Sequence, residues 1–241
     1  MNCSSQKGLF PWVTILAGLV GFVLRSWLFS AVDSKGLLPT NHISGILIFI
    51  LLALTLGMCL IGLKGIAPVA TCQQLFPASP VAAAGILLGG VGLGLSAFTV
   101  EATGLLRIIM PVFAVLTVVV MAVAAYYRLK GLRPNFLLHC IVAAYLVSRI
   151  MVCCRGWSSE PQLQLYFFQL MAFLLLLLAC YYRAELDVLP KSYRQYTFFS
   201  QAALFCCCLC LQDADRLFYL SAAIWMATDL CALPPAGKYA D

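Results

Sequence analysis

Charged residues are scarce in this sequence of 241 residues: Lys and Arg number 15, Asp and Glu number 9, and together they make up 10% of the chain. Soluble domains carry about 25% charged residues, and so little charge would cover the surface of a water-soluble fold poorly. Hydrophobic residues reach 63%, and the mean hydropathy is +0.98. The scarcity of charge therefore excludes an ordinary soluble protein and indicates a chain surrounded mostly by lipid.

Residues that carry out chemistry are also few. The two histidines, His42 and His139, lie in different apolar runs, whereas a zinc site or a membrane metalloprotease needs several ligands close together. The acidic residues lie near the ends of apolar runs or in loops, so no two carboxylates face each other at depth for acid–base catalysis. Neither a Gly-x-Ser-x-Gly elbow nor a phosphate-binding Gly-rich loop occurs. We expect no metal and no cofactor, and the sequence does not favour an enzyme.

Twelve cysteines are present, but their positions are those of buried apolar residues. Ten of them lie within or at the ends of apolar runs, where a free cysteine acts as a small hydrophobic residue. The spacing of Cys207 and Cys210 lacks the second ligand pair of a zinc finger. The cysteines therefore predict neither a metal site nor an extracellular disulfide framework.

Basic residues are dispersed between the apolar runs, and the densest group is Arg128, Lys130 and Arg133. A groove that binds nucleic acid needs a clustered basic face, and three charges beside an apolar run are too few to form one. With a cytoplasmic N-terminus, nine basic residues fall on the cytoplasmic side: Lys7, Lys64, Arg128, Lys130, Arg133, Arg183, Lys191, Arg194 and Lys238. Six fall on the opposite side: Arg25, Lys35, Arg107, Arg149, Arg155 and Arg216. The positive-inside rule thus predicts a protein of the cytoplasmic (cell) membrane with both termini cytoplasmic.

The apolar runs are long enough for helices that cross a hydrocarbon core of about 30 Å. We predict eight spans: 11–29, 43–63, 80–100, 105–127, 135–154, 163–182, 194–211 and 214–232. With short connections between them, these spans make residues 1–241 a single transmembrane domain. The predicted fold class is therefore an all-α, polytopic bundle of membrane helices. Ser79 caps the third span, and Pro80 suits its first position. The last two spans are short, and seven helices with a re-entrant segment is the alternative.

The third span is rich in glycine, which allows helix backbones to approach closely in lipid. Gly85 and Gly89 form one pair at four-residue spacing, and Gly90 and Gly94 form a second pair. These four residues are therefore predicted helix-packing positions, and we expect this helix at the centre of the bundle.

Arg25 is a charged residue near the end of the first span. At 100° per residue it lies about 20° from Gly18 and about 40° from Gly21 on the helix projection. The small-residue face is thus also the charged face, so we expect Arg25 to point into the bundle. Arg149 of the fifth span lies at a similar depth on the same predicted side.

Arg25, Glu101, Arg107 and Arg149 form the predicted ligand-binding set, in an outward-facing pocket for a small anionic or zwitterionic solute. Ionisable residues within membrane spans are costly and usually functional, which motivates this hypothesis. The alternative is that the arginines extend to lipid headgroups, or pair with Glu101 and Asp33.

His139 and Asp229 lie within one turn of helix ends on the other predicted side. A negative charge at a helix C-terminus is unfavourable, so we expect Asp229 to need a partner among Lys130, Arg133 and His139. A proton relay is not favoured, because two groups at one face make no path across the membrane.

The triplet Tyr-Tyr-Arg occurs at 126–128 and again at 181–183, an offset of 55 residues. Transporters often contain internal repeats, and here the repeat would be a parallel duplication of a helix pair. The alternative, which we favour, is that two cytoplasmic helix ends both carry interfacial tyrosines and a positive charge.

Three classes of function remain open at this point. A non-enzymatic membrane component, a subunit or regulator that associates with a membrane-protein partner through its spans, agrees best with the absence of chemistry. A small-solute transporter or ligand-binding receptor agrees with the arginines of the predicted set. A lipid-modifying enzyme is the third. The lipid bilayer is the expected surrounding in every case.

Overall fold

The computed structural model describes residues 9–31, 42–64, 76–100, 102–132, 135–157, 166–186 and 192–233. Within these ranges the chain forms eight α-helices and no strand. The helices are α1 (Leu9–Ser30), α2 (Ile43–Lys64), α3 (Pro80–Ser96), α4 (Leu106–Lys130), α5 (Phe136–Trp157), α6 (Phe167–Leu186), α7 (Tyr193–Leu209) and α8 (Arg216–Cys231). The predicted all-α bundle is therefore confirmed. The predicted sixth span, 163–182, differs most, because α6 begins at Phe167 and continues to Leu186.

The first six of these helices are long and apolar enough to cross a membrane. Helices α7 and α8 have 17 and 16 residues, or about 26 and 24 Å at 1.5 Å per residue. Every residue of 200–210 is buried, so α7 lies in the interior of the bundle.

Helices α3 to α8 form a closed ring within the described part of the chain. Each packs against the next in sequence, and α8 packs against α3. Helix α1 packs on α7 from outside the ring, and α2 packs on α1 and α7. Large apolar side chains face outward around the bundle, among them Val20, Leu54, Ile108, Val119 and Leu174. Such a surface is suited to lipid and costly in water.

Glycines let α3 lie close to its neighbours on two sides. A Cβ added at Gly89 would lie 2.6 Å from Trp225 Cβ of α8, and one at Gly85 would overlap the Thr228 side chain. On the other side, a Cβ at Gly90 or Gly94 would overlap Met121 or Val118 of α4. The two glycine pairs thus face two different helices, and their missing side chains set both spacings.

The start of α3 and the end of α4 are joined at one end of the ring. Ser79 caps α3, with its hydroxyl oxygen accepting from Ala82 N at 3.3 Å. The Ser79 N–H donates to Arg128 O at 3.2 Å. Helix α4 ends at Gly131, whose φ of +65° is the left-handed conformation that glycine adopts at helix C-termini. This junction fixes the position of Arg128.

Candidate functional site

Four arginines of the membrane helices are buried. Arg25, Arg128, Arg149 and Arg183 come from α1, α4, α5 and α6, and they are 2%, 3%, 0% and 6% exposed. A buried charge is costly unless it is paired. Carboxylates from the C-terminal hairpin (α7, α8 and the turn between them) lie beside three of these arginines. The buried charges form two groups at opposite ends of the bundle.

The first group surrounds the turn between α7 and α8, which we call the acidic turn (residues 210–215). Arg25 Nη2 donates to both carboxylate oxygens of Asp213, at 2.9 and 3.0 Å, and Nη1 donates to Cys210 Sγ at 3.3 Å. Burial raises the pKa of Asp213, and the adjacent Arg25 guanidinium counteracts that effect. The ion pair ties α1 to the acidic turn.

Arg149 pairs with the same turn from the opposite side. Its Nη2 lies 2.9 Å from Asp215 Oδ1, although the N–H direction does not meet hydrogen-bond geometry. The guanidinium carbon also lies 5.7 Å from the centre of the Phe218 ring. One helical turn before Arg149, the Tyr145 hydroxyl donates to Leu93 O at 2.7 Å. Arg149 thus ties α5 to the acidic turn inside the ring.

The predicted ligand-binding set is only partly brought together here. Arg25 and Arg149 meet at the acidic turn, each with its own carboxylate partner. Arg107 is exposed, and Glu101 lies outside the described residues. Within this group the two arginines and the two carboxylates balance in charge. The outward-facing ligand site stays a prediction.

The second group lines a cavity at the other end of the ring; we call its five residues the Asp229 cluster. They are Arg128, His139, Arg183, Tyr196 and Asp229, one each from α4, α5, α6, α7 and α8. Phe76, ahead of α3, lines the same cavity. The empty volume is about 500 Å³, counting the space at the open mouth, and the part that admits the centre of a water molecule is about 20 Å³, room for about one ordered water.

Asp229 is held by two partners in this cavity. Its Oδ1 lies 3.5 Å from Arg128 Nε, and its Oδ2 accepts a short hydrogen bond from the Tyr196 hydroxyl. Of the three expected partners, His139 lines the same cavity, Lys130 is exposed, and Arg133 lies outside the described residues. Arg128 is the partner because its own helix end points it inward, where it also donates to Pro77 O at 2.8 Å.

No described carboxylate lies within ion-pair distance of Arg183, and its guanidinium packs on aromatic rings. Its guanidinium carbon lies 3.1 Å from the centre of the Phe76 ring and 5.5 Å from that of Tyr196. Arg128 lies 5.0 Å from the same Phe76 ring, so two cations share one aromatic side chain. Among the described residues, Arg183 Nη1 and His139 Nδ1 have no hydrogen-bond partner.

The charge of this cavity is unbalanced. Its lining includes the two arginines and one carboxylate, an excess of one positive charge with histidine counted as neutral. Within the described lining Asp229 interacts with both Arg183 and Arg128, so the two buried cations share one carboxylate, which is costly in a medium of low dielectric constant. An anion that accepts a hydrogen bond from Arg183 Nη1 would satisfy this donor and would also balance the charge of the described lining residues.

Sequence reasoning placed Arg128 and Arg183 on the membrane flank and missed their burial. The Tyr-Tyr-Arg repeat was the available signal. The first tyrosine of each triplet, Tyr126 or Tyr181, is exposed on the outer surface. The arginine two residues later points about 200° away around the helix, toward the ring. The repeated pattern therefore marks two helices that present a cation to the same cavity.

No family model matches this chain, and no curated protein or solved structure matches it. The helices define the class on their own: an all-α bundle whose apolar helices indicate a membrane-embedded protein. Within the described part of that bundle, the Asp229 cluster is a polar site that lines a cavity.

Proposed function

We propose that this chain is a non-enzymatic, multi-pass membrane protein that binds a small anionic group, a carboxylate or a phosphate, in the cavity of the Asp229 cluster. The observation that carries the proposal is Arg183: it is buried, it lines the cavity, and its Nη1 finds no acceptor among the described residues. Binding of this kind is suited to the subunit or regulator that the sequence favours, because it gives such a component a ligand to respond to.

The chemistry of the cluster suits an anion. A guanidinium donates two parallel hydrogen bonds to a carboxylate or phosphate, and it stays charged when buried. The Phe76 ring holds the Arg183 guanidinium in place, which lowers the conformational entropy lost when a ligand binds. Arg128 contributes positive charge, and its hydrogen bonds to Pro77 O and Ala232 O fix its direction.

The proposed orientation places the Asp229 cluster toward the cytoplasm. The distribution of lysine and arginine supports cytoplasmic termini in a cytoplasmic membrane, and α4 and α6 then both end on the cytoplasmic side. Arg128 and Arg183 lie near those two ends. The anion would therefore come from the cytoplasm or from the headgroup layer of the inner leaflet.

A lipid-modifying enzyme is the second candidate, because His139 and Asp229 line one cavity. The contacts favour binding over catalysis: Asp229 Oδ2 accepts from Tyr196 and Oδ1 lies 3.5 Å from Arg128 Nε, and a carboxylate stabilised by a neighbouring cation is a weak general base. Consumption of an added lipid by the native protein, abolished by His139→Asn, would replace our proposal with the enzyme. The transporter alternative depends on the predicted set of Arg25, Glu101, Arg107 and Arg149.

The test compares Arg183→Gln with Lys130→Gln, which removes an exposed charge at the same end of the bundle. Inorganic phosphate is titrated into each purified variant in detergent, with chloride at matched ionic strength as the reference, and the Tm is recorded. A ligand that binds only the folded state raises Tm with its concentration. We expect the native protein and Lys130→Gln to be stabilised alike, and the phosphate affinity of Arg183→Gln to fall at least tenfold. Equal stabilisation of all three would overturn the proposal.

A further inference from the structure

A second, apolar hollow lies on the outer surface of the bundle beside the Asp229 cluster; we call it the α5–α6 groove. Its empty volume is about 630 Å³, again counting open space. Small side chains create it: Cys140 and Ala143 on α5, and Ala184 on α6. Leu177 and Leu178 line its deeper part. From Leu177 to Ala184 the groove follows α6 for seven residues, about 10 Å along the helix axis.

The groove and the cavity share two lining residues, His139 and Cys180. His139 therefore stands between a polar, positively charged space inside the ring and an apolar space open to the outer surface. Cys140, next in sequence, is exposed on that outer surface, as is Tyr181 of α6. A ligand that occupied both spaces would have to be anionic at one end and apolar at the other.

We propose that the ligand of the Asp229 cluster is an anionic lipid with a single acyl chain, its headgroup beside Arg183 and its chain in the α5–α6 groove. This inference rests on the proposed function and names the class of ligand. Three observations carry it: the excess positive charge among the described residues of the cavity, the apolar lining of the groove, and the adjacency of the two spaces, which share His139 and Cys180 as lining residues.

A free aqueous anion would use only the first of these features. It would gain nothing from the groove, whereas an acyl chain packs against the apolar side chains that line it. A groove formed between two helices, and bordered by the same two along its length, suits one chain rather than a pair. The headgroup chemistry, carboxylate or phosphate, is common to both sources, so the experiment must separate lipid from free anion.

The experiment fills the groove and leaves the cavity intact. Ala184→Leu places a large side chain among the lining residues, and Ala53→Leu makes the same change on an exposed position of α2. Affinities of the purified proteins are measured for oleoyl lysophosphatidate, for inorganic phosphate, and for mono-oleoylglycerol, which has the chain without the anion. We expect Ala184→Leu to bind lysophosphatidate at least tenfold more weakly and phosphate as before, with Ala53→Leu unchanged for both.

The results separate the two proposals. Unchanged lysophosphatidate binding by Ala184→Leu would overturn the lipid inference, and the anion site would stand if Arg183→Gln still loses phosphate. If Arg183→Gln bound both phosphate and lysophosphatidate as tightly as the native protein, both proposals would be overturned. Mono-oleoylglycerol binding as tightly as lysophosphatidate would also contradict the inference, because the cavity charge would then contribute nothing.

A second measurement does not depend on a variant that folds. The native protein is illuminated with lysophosphatidate that carries a photoreactive diazirine near the middle of its chain, and the labelled peptides are identified by mass spectrometry. We expect label on residues 140–143 of α5 and 177–184 of α6, reduced by excess unlabelled lysophosphatidate. Label spread over α1 and α2, or insensitive to competition, would refute a chain in the groove.

Discussion

At the scale of single residues, the bundle contains buried arginines whose acids come from far along the chain. Arg25 and Asp213 are both almost fully buried and joined by two hydrogen bonds. The two partners respond differently to loss of the other, because a carboxyl group can take up a proton while a guanidinium in a protein cannot lose one. Burial raises the pKa of Asp213 and Arg25 counteracts that effect, so removal of Arg25 would favour the neutral carboxyl group.

This asymmetry predicts unequal effects of two substitutions. Asp213→Leu leaves Arg25 charged and unpaired, and we expect a loss of about 3–5 kcal/mol in the free energy of unfolding. Arg25→Met leaves a carboxyl group that can become neutral, and we expect a smaller loss of about 1–3 kcal/mol. Unfolding in mixed detergent micelles measures both, with Arg107→Met, an exposed position, as the control.

The double variant gives a further check on the same pair. Replacing a buried ion pair by apolar side chains is often close to neutral, so Arg25→Met combined with Asp213→Leu should be more stable than Asp213→Leu alone. A double variant that is less stable than either single one would mean that the two residues act independently.

The sequence predicts the burial of some of these arginines and not of others. Arg25 stands out because it lies within an apolar run and shares a face with Gly18 and Gly21. Arg128 does not, because its position at a helix end equally suits a residue in the headgroup layer. Its acid, Asp229, is 101 positions away in the sequence, and a pairing over that distance depends on how the helices are arranged.

At the scale of helices, α3 shows which packing information a sequence contains. Four-residue spacing of small residues predicts that two faces allow close approach, and the structure places close neighbours on both. The identity of those neighbours, α4 and α8, does not follow from the spacing. For α8 it depends on the closure of the ring between α3 and α8, which brings together helices whose nearest ends, Ser96 and Arg216, lie 120 positions apart in the sequence.

The close contact between α3 and α8 predicts that one methyl group added at Gly89 lowers the stability of the protein. A Cβ at Gly89 would lie 2.6 Å from Trp225 Cβ and 3.0 Å from the backbone oxygen of Ser221, so α8 would have to move. We expect Gly89→Ala to lower the free energy of unfolding by about 1–3 kcal/mol. Gly57→Ala on α2 is the matched control, because nothing lies within 4 Å of its added Cβ.

The control has its own expected direction. Alanine is favoured over glycine in a helix by up to about 1 kcal/mol, so Gly57→Ala should be neutral or slightly stabilising. Thermal unfolding of both variants in one detergent gives the comparison. Equal Tm values for Gly89→Ala and the native protein would show that α8 moves away at no cost.

At the scale of the whole molecule, the eight helices give an orientation that can be measured. Thr103, before α4, and Leu132, after it, are exposed at opposite ends of that helix. With a cytoplasmic N-terminus, α4 runs inward, so Thr103 faces outside and Leu132 faces the cytoplasm. Each is changed to cysteine in a background in which the exposed or undescribed cysteines are replaced by serine: Cys3, Cys72, Cys140, Cys154 and Cys231.

Intact cells are then treated with a maleimide that does not cross membranes. We expect Thr103→Cys to react at once and Leu132→Cys to react only after the cells are permeabilised. The seven remaining cysteines are buried, so the background strain should show little labelling. The opposite order of reactivity would place the Asp229 cluster outside the cell and refute the proposed cytoplasmic access.

The distribution of buried charge has a consequence for synthesis. The four arginines are made first, in α1, α4, α5 and α6, while Asp213, Asp215 and Asp229 all belong to the hairpin that is made after them. Until that hairpin inserts, the earlier helices hold cations in the bilayer without their neutralising partners, a state of high energy. Nascent chains that stall before α7 should therefore be recognised by membrane proteases as incompletely folded, because α7 and α8 supply the acids that these arginines lack.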